Sequence, residues 1–282
     1  MKRGARVFTV AAVQMRSTEN RRRNLLRASA WAARAAARGA DLIAFPENVA
    51  ELLPEGTARP PGEALDGETA RSFAAMATRH RAWILAGTIA LRAPRGRKVL
   101  NASILFAPNG TIAAVYRKMH LFDVAIPGRA VFRESASVTA GDTPVVASTT
   151  LGRLGLTICY DLRFPELYRN LALAGAEVLF VPSAFTAYTG RAHWTALLRA
   201  RAIENLAYVV APAQWGRHHE GRASYGHTCV VDPWGRVIAL RTRGEGVVTA
   251  RLDLDRVARL RREFPVLDHV RKDLLHSRIP SD

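Results

Sequence analysis

The chain has 282 residues, of which 49% are hydrophobic and 23% are charged, and its formal net charge is +17. This length and apolar content fit one large α/β domain, and no run of residues is long and apolar enough to span a bilayer. The two cysteines, Cys159 and Cys229, exclude a disulfide scaffold and a cysteine-rich zinc site, so a reducing cytoplasm is the default location.

The positive charge is also compatible with an alternative function of a different class, nucleic-acid binding. The basic residues are nearly all arginines, and they are scattered without interleaved aromatic residues or a nucleic-acid-binding fingerprint. We therefore attribute the charge to an arginine-rich composition, and we expect no nucleic-acid partner and no membrane partner. A preference for anionic substrates remains open.

Apolar periodicity predicts alternating strands and helices in the first half of the chain. In chain order these are a strand over 8–15, a helix over 24–37, a strand over 41–45, a helix over 68–81, a strand over 82–90, and a hairpin of 102–107 with 111–116. The hairpin turns at Asn109 and Gly110, because both residue types tolerate a positive φ angle. Glu47 comes just after the second strand, and Lys118 comes just after the hairpin.

A similar progression returns in the second half. The predicted elements are a strand over 155–158 that ends at Cys159, a helix from Pro165 to a stop at Gly175, a strand over 177–181, a helix over 193–205, a strand over 207–211, a hairpin of 228–231 with 236–240, and a strand over 247–252. Such units predict two mixed sheets packed face to face beneath outer helices. The fold class is therefore α/β, a four-layer α-β-β-α sandwich in a single domain over 1–282.

Reactive residues at the ends of strands meet at one edge of an open α/β sheet. There, Glu47, Lys118 and Cys159 could break an amide: the thiolate attacks, the ammonium holds the oxyanion, and the carboxylate moves protons. We expect the helix after Cys159 to ease ionisation of the thiol, and partial burial to raise the pKa of Glu47. Each residue alone also has an ordinary explanation, as a core cysteine, a loop glutamate or a solvated lysine.

His218, His219 and Glu220 form a cluster of residue types that bind metals. Adjacent side chains do not share one face, and the His-Glu-x-x-His spacing of zinc proteases is absent. We therefore expect a solvated polar loop here, and neither a metal nor an organic cofactor.

Three segments together resemble a known family. They are Phe-Pro-Glu-Asn at 45–48, Tyr-Arg-Lys-Met-His-Leu-Phe-Asp at 116–123 and Cys-Tyr-Asp-Leu-Arg-Phe-Pro-Glu at 159–166. They are similar to the glutamate, lysine and cysteine boxes of the nitrilase superfamily, the carbon–nitrogen hydrolases, and they occur in the same order. The resemblance extends from position 10 to about 271, and it implies the same four-layer sandwich.

The resemblance also implies catalytic roles. Cys159 is the nucleophile, Glu47 is the general base and then the acid, and Lys118 stabilises the oxyanion. Glu134 matches a second glutamate that helps to position substrate and charge. The implied enzyme hydrolyses carbon–nitrogen bonds in linear amides through a thioester and needs no cofactor.

Three further positions match residues that bind the substrate. The backbone N–H of Tyr160 is the implied second oxyanion donor, and Phe185 lies in a segment similar to the family's substrate site. Arg163 matches a position that binds a substrate carboxylate, a task that suits the bidentate geometry of guanidinium.

Finer segments at 182–185, 192–194, 199–205 and 216–227 resemble the deaminated glutathione amidase branch of the superfamily. The implied reaction converts deaminated glutathione to 2-oxoglutarate and cysteinylglycine, as metabolite repair. The ω-amidase branch shares much of this pattern, so α-ketoglutaramate is the alternative substrate, and another amide or carbamoyl compound is a third.

The resemblance implies a homodimer or a larger homo-oligomer. The helices from Pro165 and from His193 resemble those that pair across the family's subunit interface. The C-terminal tail, from about 264 to 275, is expected to reach the partner subunit.

Overall fold

The computed structural model describes residues 6–54, 56–57, 60–125, 131–219 and 221–271. Its strands are β1 Val7–Gln14, β2 Leu42–Ala44, β3 Trp83–Leu85, β4 Ile89–Arg92, β5 Val99–Phe106, β6 Ile112–Arg117, β7 Asp123–Ala125, β8 Val131–Arg133, β9 Val145–Thr149, β10 Gly152–Leu156, β11 Val178–Phe180, β12 Tyr208–Ala211, β13 Trp215–His219, β14 Arg222–Tyr225, β15 Thr228–Val231, β16 Val237–Arg241 and β17 Gly246–Asp253. Its helices are α1 Arg21–Ala36, α2 Glu68–His80, α3 Pro165–Leu173, α4 Ala187–Asn205 and α5 Leu254–Glu263.

Both large sheets are mixed. The first has the strand order β17-β1-β2-β3-β5-β4, and β6 pairs with the opposite edge of β5. Within it, β1, β2 and β3 are parallel, and the remaining pairs are antiparallel. The second sheet has the order β16-β15-β12-β11-β10-β9, in which β10, β11 and β12 are parallel. Two small hairpins, β7–β8 and β13–β14, complete the described strands.

Alternate residues of β1 face different layers of the protein. Val10 and Ala12 belong to the core that the two sheets share, whereas Ala11 and Val13 pack in the core beneath α1 and α2. On the other side of the molecule, α3 and α4 cover the second sheet. This arrangement confirms the predicted four-layer α-β-β-α sandwich. No helix among the described residues has the length and apolarity needed to cross a membrane.

The strand predicted over 82–90 is in fact two strands, β3 and β4, which pair with different halves of β5. The chain turns between them at Gly87, whose φ of +63° lies in the left-handed region. A Cβ atom at Gly87 would lie only 1.9 Å from the carbonyl oxygen of Pro46. The turn therefore packs directly against the segment that carries Glu47.

The helix predicted from His193 begins earlier, at Ala187. Thr186 caps it, because its hydroxyl accepts a hydrogen bond of 3.4 Å from the backbone N–H of Thr189. Gly190 lies in this first part of α4, and a Cβ atom there would lie 2.5 Å from the side chain of Tyr225. Glycine is a poor helix former, so the sequence pattern did not predict the first turns of α4. The structure explains the glycine, because α4 packs too closely on β14 at this position to accommodate a side chain.

The structure describes the C-terminal tail only as far as residue 271. Residues 272–275 of the predicted interface segment lie outside the described residues. Within the described part, the Phe264 side chain is exposed, and its ring lies 6.2 Å from that of Trp234. The role of the tail in an interface and the single domain over 1–282 both stay predictions.

Candidate active site

A cavity of about 630 Å³ opens where the two sheets meet at their strand ends. This volume is in the range of ordinary small-molecule sites, roughly 300–1,000 Å³. All seven residues that the sequence singled out contribute to its lining. They are Glu47, Lys118, Glu134, Cys159, Tyr160, Arg163 and Phe185.

Cys159 lies three residues beyond the end of β10, in a tight turn. Its φ of +47° is unusual for a residue with a side chain, and its backbone N–H donates to the carbonyl of Pro182 at 3.0 Å. A single 3₁₀ turn over Cys159–Arg163 follows, and α3 begins only at Pro165. The sequence analysis expected an α-helix to begin just after Cys159, whereas the 3₁₀ turn separates the cysteine from α3 along the chain.

The expectation of a readily ionised thiol is wrong. Burial raises the pKa of Cys159 well above its ordinary value, and the charge of Glu47 raises it further, against the opposing charge of Lys118. The interaction of the thiol with the Glu47 carboxylate raises the same pKa. Cys159 is thus a neutral thiol in the resting site, and Glu47 is the carboxylate that acts on it.

Glu47 is buried and fully hydrogen-bonded. Its Oε1 accepts from Nζ of Lys118 at 2.9 Å and from Nδ2 of Asn101 at 3.0 Å, and its Oε2 accepts from the backbone N–H of Ala184 at 2.9 Å. Burial would raise the pKa of Glu47, but the charge and hydrogen bond of Lys118 outweigh it and hold this pKa below its ordinary value. The predicted rise is therefore wrong, and Glu47 is an ionised carboxylate in the resting site.

Lys118 lies between two carboxylates. Besides Glu47, its ammonium contacts both oxygens of Glu134, at 3.1 and 2.8 Å. Burial would lower the pKa of Lys118, but the charges of Glu134 and Glu47 raise it well above its ordinary value. The ammonium therefore stays charged while it is buried.

Two more donors hold Glu134 in place. Nδ2 of Asn101 donates to its Oε1 at 3.2 Å, and the backbone N–H of Phe122 donates to its Oε2 at 2.7 Å. Asn101 thus bridges the two glutamates, a role that the sequence analysis missed. The available signal was a polar residue in the middle of β5, a strand that is otherwise almost entirely apolar.

Asp161 connects the turn that carries Cys159 to the segment that carries Lys118. The sequence analysis did not predict this role. Its buried carboxylate accepts from the Tyr116 hydroxyl at 2.8 Å, from the backbone N–H of His120 at 3.0 Å and from the backbone N–H of Ile158 at 2.8 Å. These bonds link residues on both sides of Lys118 and Cys159. Asp161 lies within the cysteine segment of the sequence, but no sequence pattern indicates its partners.

The cavity wall combines aromatic rings with guanidinium groups. The Arg163 guanidinium lies 5.0 Å from the ring centre of Phe185 and 5.8 Å from that of Tyr160. It also contacts Nδ1 of His193 at 3.1 Å. A second arginine, Arg222 on β14, lines the same cavity and was not singled out from the sequence.

His218 and His219 lie on β13 and are partly buried, so the expected solvated loop is wrong; Glu220 lies outside the described residues. Nδ1 of His218 donates to the Ser17 carbonyl at 2.9 Å, and Nε2 therefore accepts from the Ser224 hydroxyl at 2.9 Å. Burial lowers the pKa of His218 to about 4. In the part of the chain that the structure describes, no group of three or more His, Cys, Asp or Glu side chains is arranged to hold a metal ion.

Comparison with known proteins adds independent findings. The family model described as carbon-nitrogen hydrolase matches residues 9–262. A protein of Synechocystis sp. named deaminated glutathione amidase is 45% identical over 265 residues, which cover 93% of this chain and 97% of that protein.

Two solved structures have the same fold. The C. elegans NitFhit protein superposes with a TM-score of 0.86 at 37% identity, over 95% of this chain and 66% of that longer one. Saccharomyces cerevisiae Nit3, a member of branch 10 of the nitrilase superfamily, superposes with a TM-score of 0.80 at 30% identity, over 92% of this chain and 94% of that one.

Proposed function

The chain belongs to the carbon–nitrogen hydrolase family, and we propose that it hydrolyses the linear amide of deaminated glutathione through a thioester at Cys159. The observation that carries the proposal is the buried pair of Lys118 and Glu47, which lines one cavity with Cys159 and holds ionised the carboxylate that acts on the thiol. The proposed substrate is the one that appears in the name of the relative with 45% identity, deaminated glutathione amidase.

The first half of the reaction forms the thioester. Glu47 accepts the thiol proton as the sulfur of Cys159 attacks the amide carbonyl, so no free thiolate is needed beforehand. The oxyanion that forms is stabilised by the Lys118 ammonium and by the backbone N–H of Tyr160. Glu47 then gives its proton to the nitrogen, the C–N bond breaks, and cysteinylglycine leaves.

The second half releases the acid. Glu47 accepts a proton from water, the resulting hydroxide attacks the thioester carbonyl, and the oxyanion again lies at Lys118. Collapse breaks the C–S bond, the proton returns to sulfur, and 2-oxoglutarate leaves. Glu134 keeps the Lys118 ammonium in place through both steps, with Asn101 between the two glutamates.

Arg163 is the proposed partner for the α-keto carboxylate of the acyl group. Its planar fork can hold a carboxylate through two parallel hydrogen bonds, and the contacts with Phe185 and His193 fix its direction. Tyr160 and Phe185 supply the apolar wall beside the carbon chain of the substrate.

The experiment is a comparison of kcat/KM for deaminated glutathione, α-ketoglutaramate and intact glutathione in one buffer, with Cys159→Ala as the inactive control. Deaminated glutathione should be the best substrate. If α-ketoglutaramate is better by about tenfold or more, equivalent to ~1.4 kcal/mol, the ω-amidase activity replaces this proposal. Turnover of a different amide or of a carbamoyl compound alone would reject the substrate but not the chemistry.

We also propose that the enzyme is cytoplasmic and forms a homodimer or a larger homo-oligomer. Both cysteines are free, which suits a reducing compartment. Ile203 on α4, Trp234 and Phe264 are exposed apolar side chains near one another, as expected of a surface that pairs. Light scattering at micromolar concentration should give about twice the chain mass of 30.9 kDa or a larger multiple of it, and a monomer alone would reject the assembly.

A further inference from the structure

Asn101 connects the two glutamates of the site, although the mechanism above gives it no part in the proton transfer. It lies buried in β5, where its register partner on β4 is Ala90 and its backbone carbonyl accepts a hydrogen bond of 2.9 Å from the N–H of Lys118. It is not one of the described residues that line the cavity. Asn101 therefore acts on the reaction through other side chains and not through contact with the substrate.

The side-chain nitrogen of Asn101 uses both of its N–H groups on carboxylates. Nδ2 donates to Oε1 of Glu47 at 3.0 Å and to Oε1 of Glu134 at 3.2 Å. The nitrogen and not the oxygen of this amide must face the glutamates, because ionised carboxylates only accept hydrogen bonds. One neutral side chain thus holds one oxygen of each glutamate.

The two oxygens of Glu47 differ in the number of donors that they hold. Among the nitrogen donors of the described residues, Oε1 has two, from Lys118 and Asn101, and Oε2 has one, the backbone N–H of Ala184. A carboxylate oxygen has about two lone pairs, so both of those on Oε1 are occupied and one on Oε2 is left. Oε2 is therefore the oxygen available for the proton of Cys159.

The ammonium of Lys118 has three N–H groups, and each of them has a glutamate oxygen as its partner. These partners are Oε1 of Glu47 at 2.9 Å and Oε1 and Oε2 of Glu134 at 3.1 and 2.8 Å. The oxyanion needs one of the three N–H groups. The bond to Oε1 of Glu134 is the longest, and the same oxygen also accepts from Asn101. Lys118 can therefore turn this N–H to the oxyanion without leaving Oε1 of Glu134 unpaired.

We propose that Asn101 is a positioning residue that directs the thiol proton to Oε2 of Glu47 and releases one N–H of Lys118 for the oxyanion. In the first step the S–H bond of Cys159 breaks and its proton moves to Oε2. The new C–S bond forms at the same time, and the carbonyl electrons move to the oxygen that Lys118 then contacts. The inference rests on the proposed function, since it assumes these roles for Glu47 and Lys118, but it holds for any amide that the enzyme hydrolyses.

The test compares Asn101→Ala with Ser103→Ala, a change two residues further along β5. Ser103 is a buried polar residue whose hydroxyl has no hydrogen-bond partner among the described residues, so it is a matched control. Asn101→Ala should lower kcat by about 10-fold to 100-fold, because both lost bonds go to charged groups. It should leave KM within about threefold of wild type, because Asn101 does not touch the substrate. Ser103→Ala should keep the wild-type kcat.

The pH profile separates positioning from packing. In Asn101→Ala the charged form of Glu47 loses a hydrogen bond, so the pKa of Glu47 rises and the acid limb of the kcat/KM profile moves to higher pH. Ser103→Ala should keep the acid limb of the wild type. The charged and titratable groups of the described residues that surround Glu47 remain in both variants; they are Lys118, Glu134, Cys159 and Arg222.

Several outcomes overturn the inference. A lower kcat with an unmoved acid limb would mean that Asn101 only packs β5, and a KM that rises as much as kcat falls would mean that it acts on substrate binding. If Asn101→Ala fails to fold, Asn101→Asp, which keeps the shape but replaces both donors with acceptors, is measured instead, and an unmoved acid limb there rejects the inference. A wild-type enzyme that hydrolyses no amide would reject the proposed function first, which is a distinguishable result.

Discussion

Lys118 donates a hydrogen bond of 2.9 Å to Oε1 of Glu47, although 71 positions separate the two residues and both are buried. This contact keeps the carboxylate ionised. Burial, together with the charge of that carboxylate, raises the pKa of Cys159 and keeps the thiol neutral. The resting site therefore holds a neutral thiol and an ionised base, and the proton can be transferred during attack.

Glu47→Gln should separate thiol ionisation from catalysis. Loss of the carboxylate removes the acceptor, so amide hydrolysis should fall by about 100-fold to 10,000-fold. The same change removes a charge that raises the pKa of Cys159, so this pKa should fall and alkylation by iodoacetamide should become faster near neutral pH. Alkylation rates across pH check the sign, with the exposed Glu166→Gln as control. Slower alkylation in Glu47→Gln would contradict the account.

Glu134→Gln should lower the pKa of Lys118, because Glu134 is its largest source of negative charge. The ammonium would then lose its proton at lower pH than in wild type, and the alkaline limb of the kcat profile should move to lower pH. At the optimum, kcat should fall by about 100-fold, as for loss of an oriented oxyanion group. A lower kcat with an unmoved alkaline limb would indicate a merely structural role for Glu134.

Asp161→Asn should destabilise the site although the two side chains have the same shape. Asp161 accepts hydrogen bonds from the Tyr116 hydroxyl, from the backbone N–H groups of His120 and Ile158, and from Nδ1 of the His120 ring. An amide NH₂ must face at least one of these donors, so the free energy of unfolding should fall by about 1–3 kcal/mol. Denaturant unfolding measures this, and the exposed Asp66→Asn should stay within about 0.5 kcal/mol of wild type. Equal stability of the two variants would remove Asp161 from the account.

Gly87→Ala should displace the segment that carries Glu47. A methyl group would collide with the Pro46 carbonyl, which is backbone and cannot move aside cheaply. Gly96→Ala is the matched control, because Gly96 also has a positive φ, +75°, but open space around its Cβ position. The control should lose only about 1–2 kcal/mol of stability to backbone strain, whereas Gly87→Ala should lose more and lower kcat. Similar unfolding curves and rates for both variants would contradict the proposed contact.

Much of the fold and the centre of the site could be predicted from the sequence. Buried parallel strands are near-continuous apolar runs, and the Asn109-Gly110 turn has a local signature, so both sheets could be inferred. Glu47 and Cys159 could be found because each comes shortly after a buried parallel strand, and Lys118 because it directly follows the second strand of the hairpin. The family match over 9–262 confirms the resemblance that their three segments suggested.

The rest depends on contacts between distant residues, which no local pattern records. The turn at Gly87 is set by Pro46, and the glycine in α4 is set by Tyr225. The pKa of Glu47 could not be foreseen, because the effect of burial is overruled by a lysine 71 positions away. Asn101 stands out as a polar residue in the apolar strand β5, but the strand does not record its partners, and the sequence of β14 gives no sign that Arg222 lines the cavity.

The thioester mechanism is tested most directly by the mass of the enzyme quenched in acid during turnover of deaminated glutathione. We expect an adduct equal in mass to 2-oxoglutarate minus water, located on the peptide that contains Cys159 and absent from Cys159→Ala. A full hydrolysis rate in Cys159→Ala, or the same adduct on another residue, would contradict the thioester mechanism.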